Sequence, residues 1–331
     1  MNKPIHVAVV VPCYRAKKQI LDVLAAIPPE VSSIHVIDDA CPDGTGRHVQ
    51  QNCSDPRVQV HVNEHNLGVG GAVLRGYREA LHGNADVIVK IDGDGQMDPS
   101  LLPQFVAPIL DGEADYTKGN RFFDLSNIGR MPRIRIFGNA MLSLMSKLST
   151  GYWDIFDPTN GYTAIHASVA DRLPVNKISH RYFFESDLLF RLNTLRAVVI
   201  DIPMDARYGD EISNLRISRI IGDFLFKHVR NFFKRIFYNF FLRDLSIASL
   251  ELVAGGALMA AGGVYGVLKW IQSAQSGEVT GAGTVMLAAL PLILGLQFVL
   301  AFLNYDIASV PRRPIHVSRR RRSDSFFHDA S

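Results

Sequence analysis

The sequence predicts an α/β fold built on a mainly parallel central sheet, followed by a membrane-attached C-terminal third. Three observations carry that reading. From Ile5 to about Ile202, short apolar β-rich runs alternate with longer helical stretches, the pattern of repeated βα units. Acidic and glycine-containing clusters fall directly after those runs, where the ligands of parallel sheets collect. Near the C-terminus lie two hydrophobic stretches, each close to the roughly 20 residues needed to cross a bilayer.

The elements follow in order. His6–Val11 reads as the first strand, closed by Pro12-Cys13-Tyr14, with a helix over Gln19–Ala26. Ser33–Ile37 is a second strand ending at Asp38-Asp39, and Val58–His61 a third. A helix over Ala72–Leu81 precedes a buried strand, Val87–Ile91, which runs into Asp92-Gly93-Asp94. Around Arg121–Arg135 the chain is basic, polar and without periodicity, as expected of a mobile loop.

After Leu215 the character changes. Phe226, Phe233, Phe237 and Phe241 recur at helical spacings while Lys227, Arg230 and Lys234 take another side, which describes a basic aromatic amphipathic helix suited to a membrane surface. Leu252–Ile271 and Val285–Leu303 then read as spans, with Lys269 long enough to reach the interface. The connector Gln272–Gly283 has no Lys or Arg, whereas both flanks are rich in them. The positive-inside rule therefore places both flanks in the cytoplasm. The expected organisation is a catalytic domain over 1–214, amphipathic helices over 215–244, a two-span hairpin over 245–305 and a basic tail over 306–331. Gly255, Gly256, Gly262 and Gly263 in the first span permit close helix contact.

Composition narrows the function. A net charge of only +3 does not suggest a nucleic-acid partner, although basic residues concentrate at Arg216–Arg243 and Arg312–Arg322. The three cysteines, Cys13, Cys41 and Cys53, are odd in number and lack C-x-x-C spacing, against both a disulfide framework and a zinc site. The opening MNKPIHVAVVVP gives too short an apolar run for a secretory signal, so the N-terminal domain is expected in the cytosol.

Chemistry concentrates in Lys90-Ile91-Asp92-Gly93-Asp94-Gly95-Gln96-Met97-Asp98-Pro99. Two carboxylates one residue apart, beyond a buried strand, suit Mg²⁺ or Mn²⁺ shared with substrate phosphates, and Gln96 offers an amide oxygen to the same ion. The plain alternative is an acidic turn. Asp39 suits a base N–H or ribose hydroxyl; Asp38 and Asp43 fit a turn or cap equally well. Asn66-Leu67-Gly68-Val69-Gly70-Gly71-Ala72 resembles a dinucleotide fingerprint, but its sixth position is Val73, so an oxidoreductase is rejected and a glycine turn approaching the nucleotide is expected.

Together these residues resemble the family-2 glycosyltransferases, in the branch of dolichyl-phosphate mannose synthase and bacterial polyprenyl-phosphate glucosyltransferases. The resemblance runs through VVVPCYR, VIDDACPDGT, NLGVGGAVLRGY, KIDGDGQMDP, KGNRF, DPTNGYTAI and FFESDLL and on into the hairpin. It implies a GT-A fold, a nucleotide-sugar over Pro12, Tyr14, Asp39, Gly68 and Asp92, and metal at Asp92, Asp94 and Gln96. It further implies inverting transfer to a polyprenyl phosphate at the cytoplasmic membrane face, with Asp94, Asp157 and Arg121 in catalysis. Asp157 aligns with the family's D-x-x-S-G segment, as a base or an orienting group. Arg133, Arg135, Arg207 and Ser213 would hold donor or lipid phosphate, as the guanidinium fork suits. Glu185 and Asp187 fall where the family has acidic helix residues and could equally satisfy nearby arginines. A homo-oligomer is a further expectation.

Two departures stand out. Arg15-Ala16 follows Tyr14 where the family usually has Asn-Glu, and Arg207–Ser213 matches the R-x-G-x-S segment only loosely. Rival readings are another lipid or glycan acceptor and a non-catalytic nucleotide-sugar-binding scaffold. A nucleotidyltransferase would need a glycine-rich basic phosphate loop near the N-terminus, and a processive polysaccharide synthase a Q-x-x-R-W segment and more spans. Neither pattern is present.

Overall fold

A computed structural model describes residues 4–123, 133–205 and 217–317. The chain forms two compact units, Met1–Phe232 with Pro311–Ser331, and Phe233–Val310.

The first unit is organised by a seven-stranded sheet of order β3-β2-β1-β4-β6-β5-β7. Its strands are β1 (Val7–Cys13), β2 (Ser33–Asp38), β3 (Val58–Val62), β4 (Val87–Lys90), β5 (Tyr116–Asn120), β6 (Thr163–His166) and β7 (Val199–Pro203). β1 is flanked by β2 and β4 and every residue in it is buried, which explains an unbroken Val-rich run in place of alternation. Helices α1 (Ile20–Ala25), α2 (Thr45–Asn52), α3 (Val69–His82) and α4 (Leu102–Leu110) connect these strands or cover them. α3 begins three residues before the expected Ala72, because Gly70 and Gly71 are already helical.

One strand runs against the rest. β6 is antiparallel to both neighbours, β4 and β5, while β5 pairs parallel with β7. The sheet is therefore mainly parallel but mixed. The reversal has a positional effect: the segment entering β6, residues 157–162, arrives at the edge where β1, β2, β4 and β5 end. A short helix α6 (Ala167–Ala170) leaves β6 at the opposite edge, after α5 (Arg133–Thr150) and before α7 (Phe184–Leu195).

At that opposite edge the buried Asp115 gathers four hydrogen bonds. It accepts from the backbone N–H groups of Val198, Ile315 and His316 at 2.8, 2.9 and 3.1 Å, and lies 2.7 Å from His316 Nδ1. The His316 ring stacks on His166 with centroids 4.2 Å apart. Burial, followed by the neighbouring His316, lowers the His166 pKa to about 4. The end of the described chain is thus stitched beside β5 and β7.

α8 (Ile217–Phe237) has an inverted pattern. His228, Asn231, Arg235 and Asn239 (the last just beyond the helix) are buried, while Phe226, Val229, Phe233 and Phe237 are exposed. Within the first unit the polar side is satisfied by named partners: His228 Nδ1 lies 2.7 Å from Ser149 Oγ, and Asn231 Nδ2 donates to Asp187 at 2.9 Å. Burial pushes the His228 pKa down to about 4. α8 thus buries amides and an imidazole while exposing phenylalanines.

The second unit follows through a π-helical turn, Tyr238–Arg243, into α9 (Ile247–Ser276) and α10 (Ala282–Ala308). Both helices are long and apolar enough to cross a membrane, and both extend beyond the expected spans. Ser249 Oγ accepts from Ser246 N at 3.2 Å at the start of α9, and Gly277, at φ 70°, ends it. Gly255 and Gly262 are packed against α10: a Cβ on either would come 2.8 Å from the carbonyl of Gly295 or Ala288. Gly256 faces open space. Arg235 makes a bidentate ion pair with Asp306, at 2.5 and 2.9 Å, both side chains buried.

Candidate active site

The common edge assembles three groups of residues. Asp38 and Asp39 close β2, Asp92–Asp98 follow β4, and Arg121 follows β5 and meets the 157–161 segment that enters β6.

Asp38 is a capping residue: its carboxylate accepts from Cys41 N at 2.7 Å and Gly46 N at 2.5 Å. This decides between the two readings in favour of the cap. Asp39 is committed as well, accepting from Asn63 Nδ2, Leu67 N and Gly68 N, each at 2.8 Å. Gly68, at φ 84°, is required by packing: a Cβ there would lie 2.6 Å from the His180 carbonyl, which also accepts from Gly70 N at 2.8 Å. The glycine turn expected to approach a nucleotide is pressed against residues 179–184. Sequence could not separate the two uses, since both demand the absence of a side chain.

Pro12 is buried within β1, while Tyr14 is exposed with the Arg15 guanidinium 5.5 Å from its ring. Arg15 and Ala40 both have left-handed backbones, φ 59° and 53°, which cost side-chain-bearing residues of order 1 kcal/mol each. Their positions just beyond β1 and β2 concentrate backbone strain at the working edge. Arg15 N also donates to Cys41 Sγ at 3.1 Å.

Beyond β4 the acidic turn is organised locally. Gln96 N donates to Asp94 Oδ1 at 3.0 Å, with Gly95 at φ 78° permitting the bend, and Asp98 caps the next turn through Ser100 N at 3.0 Å. Lys90, fully buried in the strand, places Nζ 2.8 Å from Asp92 Oδ1 and 3.6 Å from Glu185. Burial alone would lower the Lys90 pKa, but Asp92 and Glu185 outweigh it and the net shift is upward. Gly161 leaves room for this pair, because a Cβ would come 2.7 Å from Asp92 Oδ2. Among the described residues no three His, Cys, Asp or Glu side chains gather as a closed metal site. Asp92, Asp94 and Gln96 nevertheless offer two carboxylates and an amide, a donor set that fits a hard cation completing its shell from diphosphate and water.

Asp157, 1% exposed, is held by Arg121 in a fork: Nε to Oδ2 at 2.7 Å and Nη2 to Oδ1 at 3.0 Å. Next to this pair, Lys118 on β5 donates through Nζ to the Asn160 carbonyl. Burial lowers the Lys118 pKa to about 8 against the pull of Glu185 and Asp157. The sequence alone assigned no role to Lys90, Lys118 or Asp201. For the two lysines a signal was available in the strand runs V-I-V-K and Y-T-K-G-N, where a charge needs a buried partner. Glu185 and Asp187 divide their work: Glu185 faces Lys90, while Asp187 accepts from Ser179 N at 2.8 Å and from Asn231.

Four expected phosphate ligands are not placed. Arg207 and Ser213 lie outside the described residues, and Arg133 and Arg135 lie in the first turn of α5 with side chains outside the description.

The model of the family described as Glycosyl transferase family 2 matches residues 8–173, half of the chain. This chain is a member of glycosyl transferase family 2. The matched stretch contains the Asp39, Asp92–Asp94, Arg121 and Asp157 clusters. This glycosyltransferase is 30% identical to the undecaprenyl-phosphate mannosyltransferase of Micrococcus luteus over 175 residues, covering 52% of this chain and 71% of that protein. It is 26% identical over 201 residues to the polyprenol monophosphomannose synthase of Mycolicibacterium smegmatis, covering 59% and 75%. In fold it is similar to glucosyl-3-phosphoglycerate synthase of Mycobacterium tuberculosis, solved with Mg²⁺ and UDP. The TM-score is 0.52 at 19% identity, over 70% of this chain and 79% of that one. The catalytic unit of this glycosyltransferase has the GT-A fold.

Proposed function

We propose that the protein transfers a sugar, with inversion, from a UDP- or GDP-linked donor to a polyprenyl phosphate at the cytoplasmic membrane face. The observation that carries this reading is the meeting of the Asp92–Asp94 turn with the Arg121–Asp157 pair at one sheet edge, in a family-2 domain followed by two span-length apolar helices. The names of the two mannosyltransferase relatives supply the acceptor class.

In the proposed reaction a phosphate oxygen of the acceptor forms a bond to the anomeric carbon while the bond to the donor's diphosphate oxygen breaks, releasing the nucleoside diphosphate. That acceptor oxygen is already anionic at neutral pH, so no strong general base is needed and orientation and charge form the main barrier. Mg²⁺ or Mn²⁺, held by Asp92, Asp94 and Gln96, would neutralise the departing diphosphate. Lys90 fixes Asp92 from inside the sheet. Asp157 is better suited to aim Arg121 than to take a proton, because both its oxygens are engaged by the guanidinium. Arg121 is a candidate to hold a phosphate, with Arg133, Arg135, Arg207 and Ser213 as further candidates. Tyr14 and Pro12 border the nucleotide side, and Asp39 and Gly68 shape the loop there.

The test is transfer of labelled sugar from a panel of UDP- and GDP-hexoses to polyprenyl phosphate in vesicles, with Mn²⁺ or Mg²⁺ supplied or chelated. A lipid-linked product that disappears with chelation, and falls at least a hundredfold in Asp94→Asn, is expected. No lipid product from any donor would sink the acceptor assignment, and full activity under chelation would sink the metal assignment.

A further inference from the structure

One carboxylate that the reaction does not use sits under the Arg121–Asp157 pair. Asp201 Oδ2 accepts from Asn120 Nδ2 at 3.0 Å and from Phe156 N at 3.1 Å. Asn120 and Phe156 are the residues immediately before Arg121 and Asp157. A single oxygen on the edge strand β7 therefore ties together the two chain segments that carry the ion pair. Asn120 is itself fixed, since its Oδ1 accepts from Phe122 N at 2.9 Å.

The strand register explains how Asp201 reaches this position. β7 pairs parallel with β5 so that Asp201 stands beside Lys118 and Pro203 beside Asn120. Strand periodicity puts Lys118 and Asn120 on one face, and from that face Lys118 holds the Asn160 carbonyl while Asn120 meets Asp201. Three anchors, at Asn120, Phe156 and Asn160, thus converge on the segment containing Asp157. Asp201 Oδ1 is buried and has no hydrogen-bond partner among the described residues, which is costly for a carboxylate kept only for stability.

We propose that Asp201 is a positioning residue for sugar transfer, setting the Arg121–Asp157 pair by clamping the residue before each partner. This rests on the role given above to that pair. The charged groups facing Asp201 are Lys118 from β5 and Asp157 from the segment entering β6. Burial pushes the Asp201 carboxyl up to about 6, with hydrogen bonding from Phe156 and the charge of Lys118 opposing and Asp157 adding to it. Its charge state therefore changes in a range where transfer can be measured, and Asp201→Asn stands in for the protonated form.

The experiment compares Asp201→Asn, Asp201→Ala and Asp157→Asn with the unaltered full-length protein in lipid, measuring kcat, donor KM and donor binding from pH 5 to 8. The unaltered protein is expected to lose kcat below about pH 6; expected for Asp201→Asn is a kcat about tenfold lower at pH 8 with donor KM unchanged, and no such acid limb. Asp201→Ala, lacking both hydrogen bonds, should lose more. An Asp201→Asn protein with the original kcat and the original acid limb overturns the positioning role, as does a parallel loss of donor binding and turnover, which would mark a residue that only holds the fold. Unaltered turnover in Asp157→Asn would instead overturn the reading of the ion pair, and the role of Asp201 with it.

Discussion

At the scale of single residues, the buried charges below the site stand in tension with stability. An acid whose pKa is raised on folding binds more protons in the native state than in the unfolded one, so stability is greatest below the unfolded value and falls as pH rises through the folded value. For Asp201 that window runs from the ordinary carboxylate range, 3.8, up to about 6. Asp201→Asn is therefore expected to melt at a higher temperature than the unaltered protein at pH 8, and the gap should shrink as pH falls through 6 towards 4. Thermal unfolding in detergent at pH 4.5, 6 and 8 checks this, and a gap that widens on acidification contradicts it. Gain in stability with loss of turnover is the trade expected where a strained group serves function.

The residue scale also shows what sequence can and cannot yield. Asp92 and Asp94 could be singled out because they follow a strand-like run, and Asp157 only through its alignment with the family's D-x-x-S-G segment. Asp39 and Gly68 were legible as important, but the packing of the Gly68 turn against the His180 carbonyl depends on a contact between segments more than a hundred residues apart. Asp201 carried no local signal, because V-I-D-I-P reads as an edge strand with one polar position and only the register with β5 turns that position towards Asn120.

At the scale of elements, α8 illustrates the same limit. Phe226, Phe233 and Phe237 are exposed together, as their spacing suggests, while Lys227, Arg230 and Lys234 were expected to take another side and meet the membrane surface. The side turned from the phenylalanines is largely buried amide and imidazole, Arg230 and Lys234 are exposed, and Lys227 is drawn to Asp223 at 2.5 Å. Aromatic depth should thus matter more than surface charge for this helix. A Phe226→Asp/Phe233→Asp protein, still attached by its hairpin, is expected to lose most transfer to vesicle-embedded acceptor while keeping donor binding. Transfer at the original rate would show that the exposed phenylalanines do not meet lipid.

At the scale of the whole molecule, the order of the sheet was open to sequence only in part. Four parallel strands followed from the βα rhythm, but the reversal at β6 did not, since a four-residue strand, Thr-Ala-Ile-His, carries no mark of its direction. The hairpin followed directly from length and hydropathy, and its sidedness remains the consequential expectation. If both flanks are cytoplasmic, a cysteine placed at Ser276 should react with an impermeant reagent added outside intact cells, and one placed at Ser309 should not. Reaction at Ser309 alone would invert the topology and separate the site from cytosolic donors.

The seal at Asp115 bears on the order in which the protein comes into being. Its backbone partners Ile315 and His316 lie 200 and 201 residues further along the chain, and they are synthesised after both apolar helices. Domains ordinarily fold from the N-terminus as they emerge, but here a buried carboxylate beside β5 and β7 waits for the last described residues before its hydrogen bonds are complete. The nascent sheet can form early, yet its rear edge closes only once α9 and α10 have been made. Completion of the catalytic unit therefore follows synthesis of both apolar helices, so that a chain stalled before residue 315 would lack the hydrogen bonds that Ile315 and His316 give to Asp115.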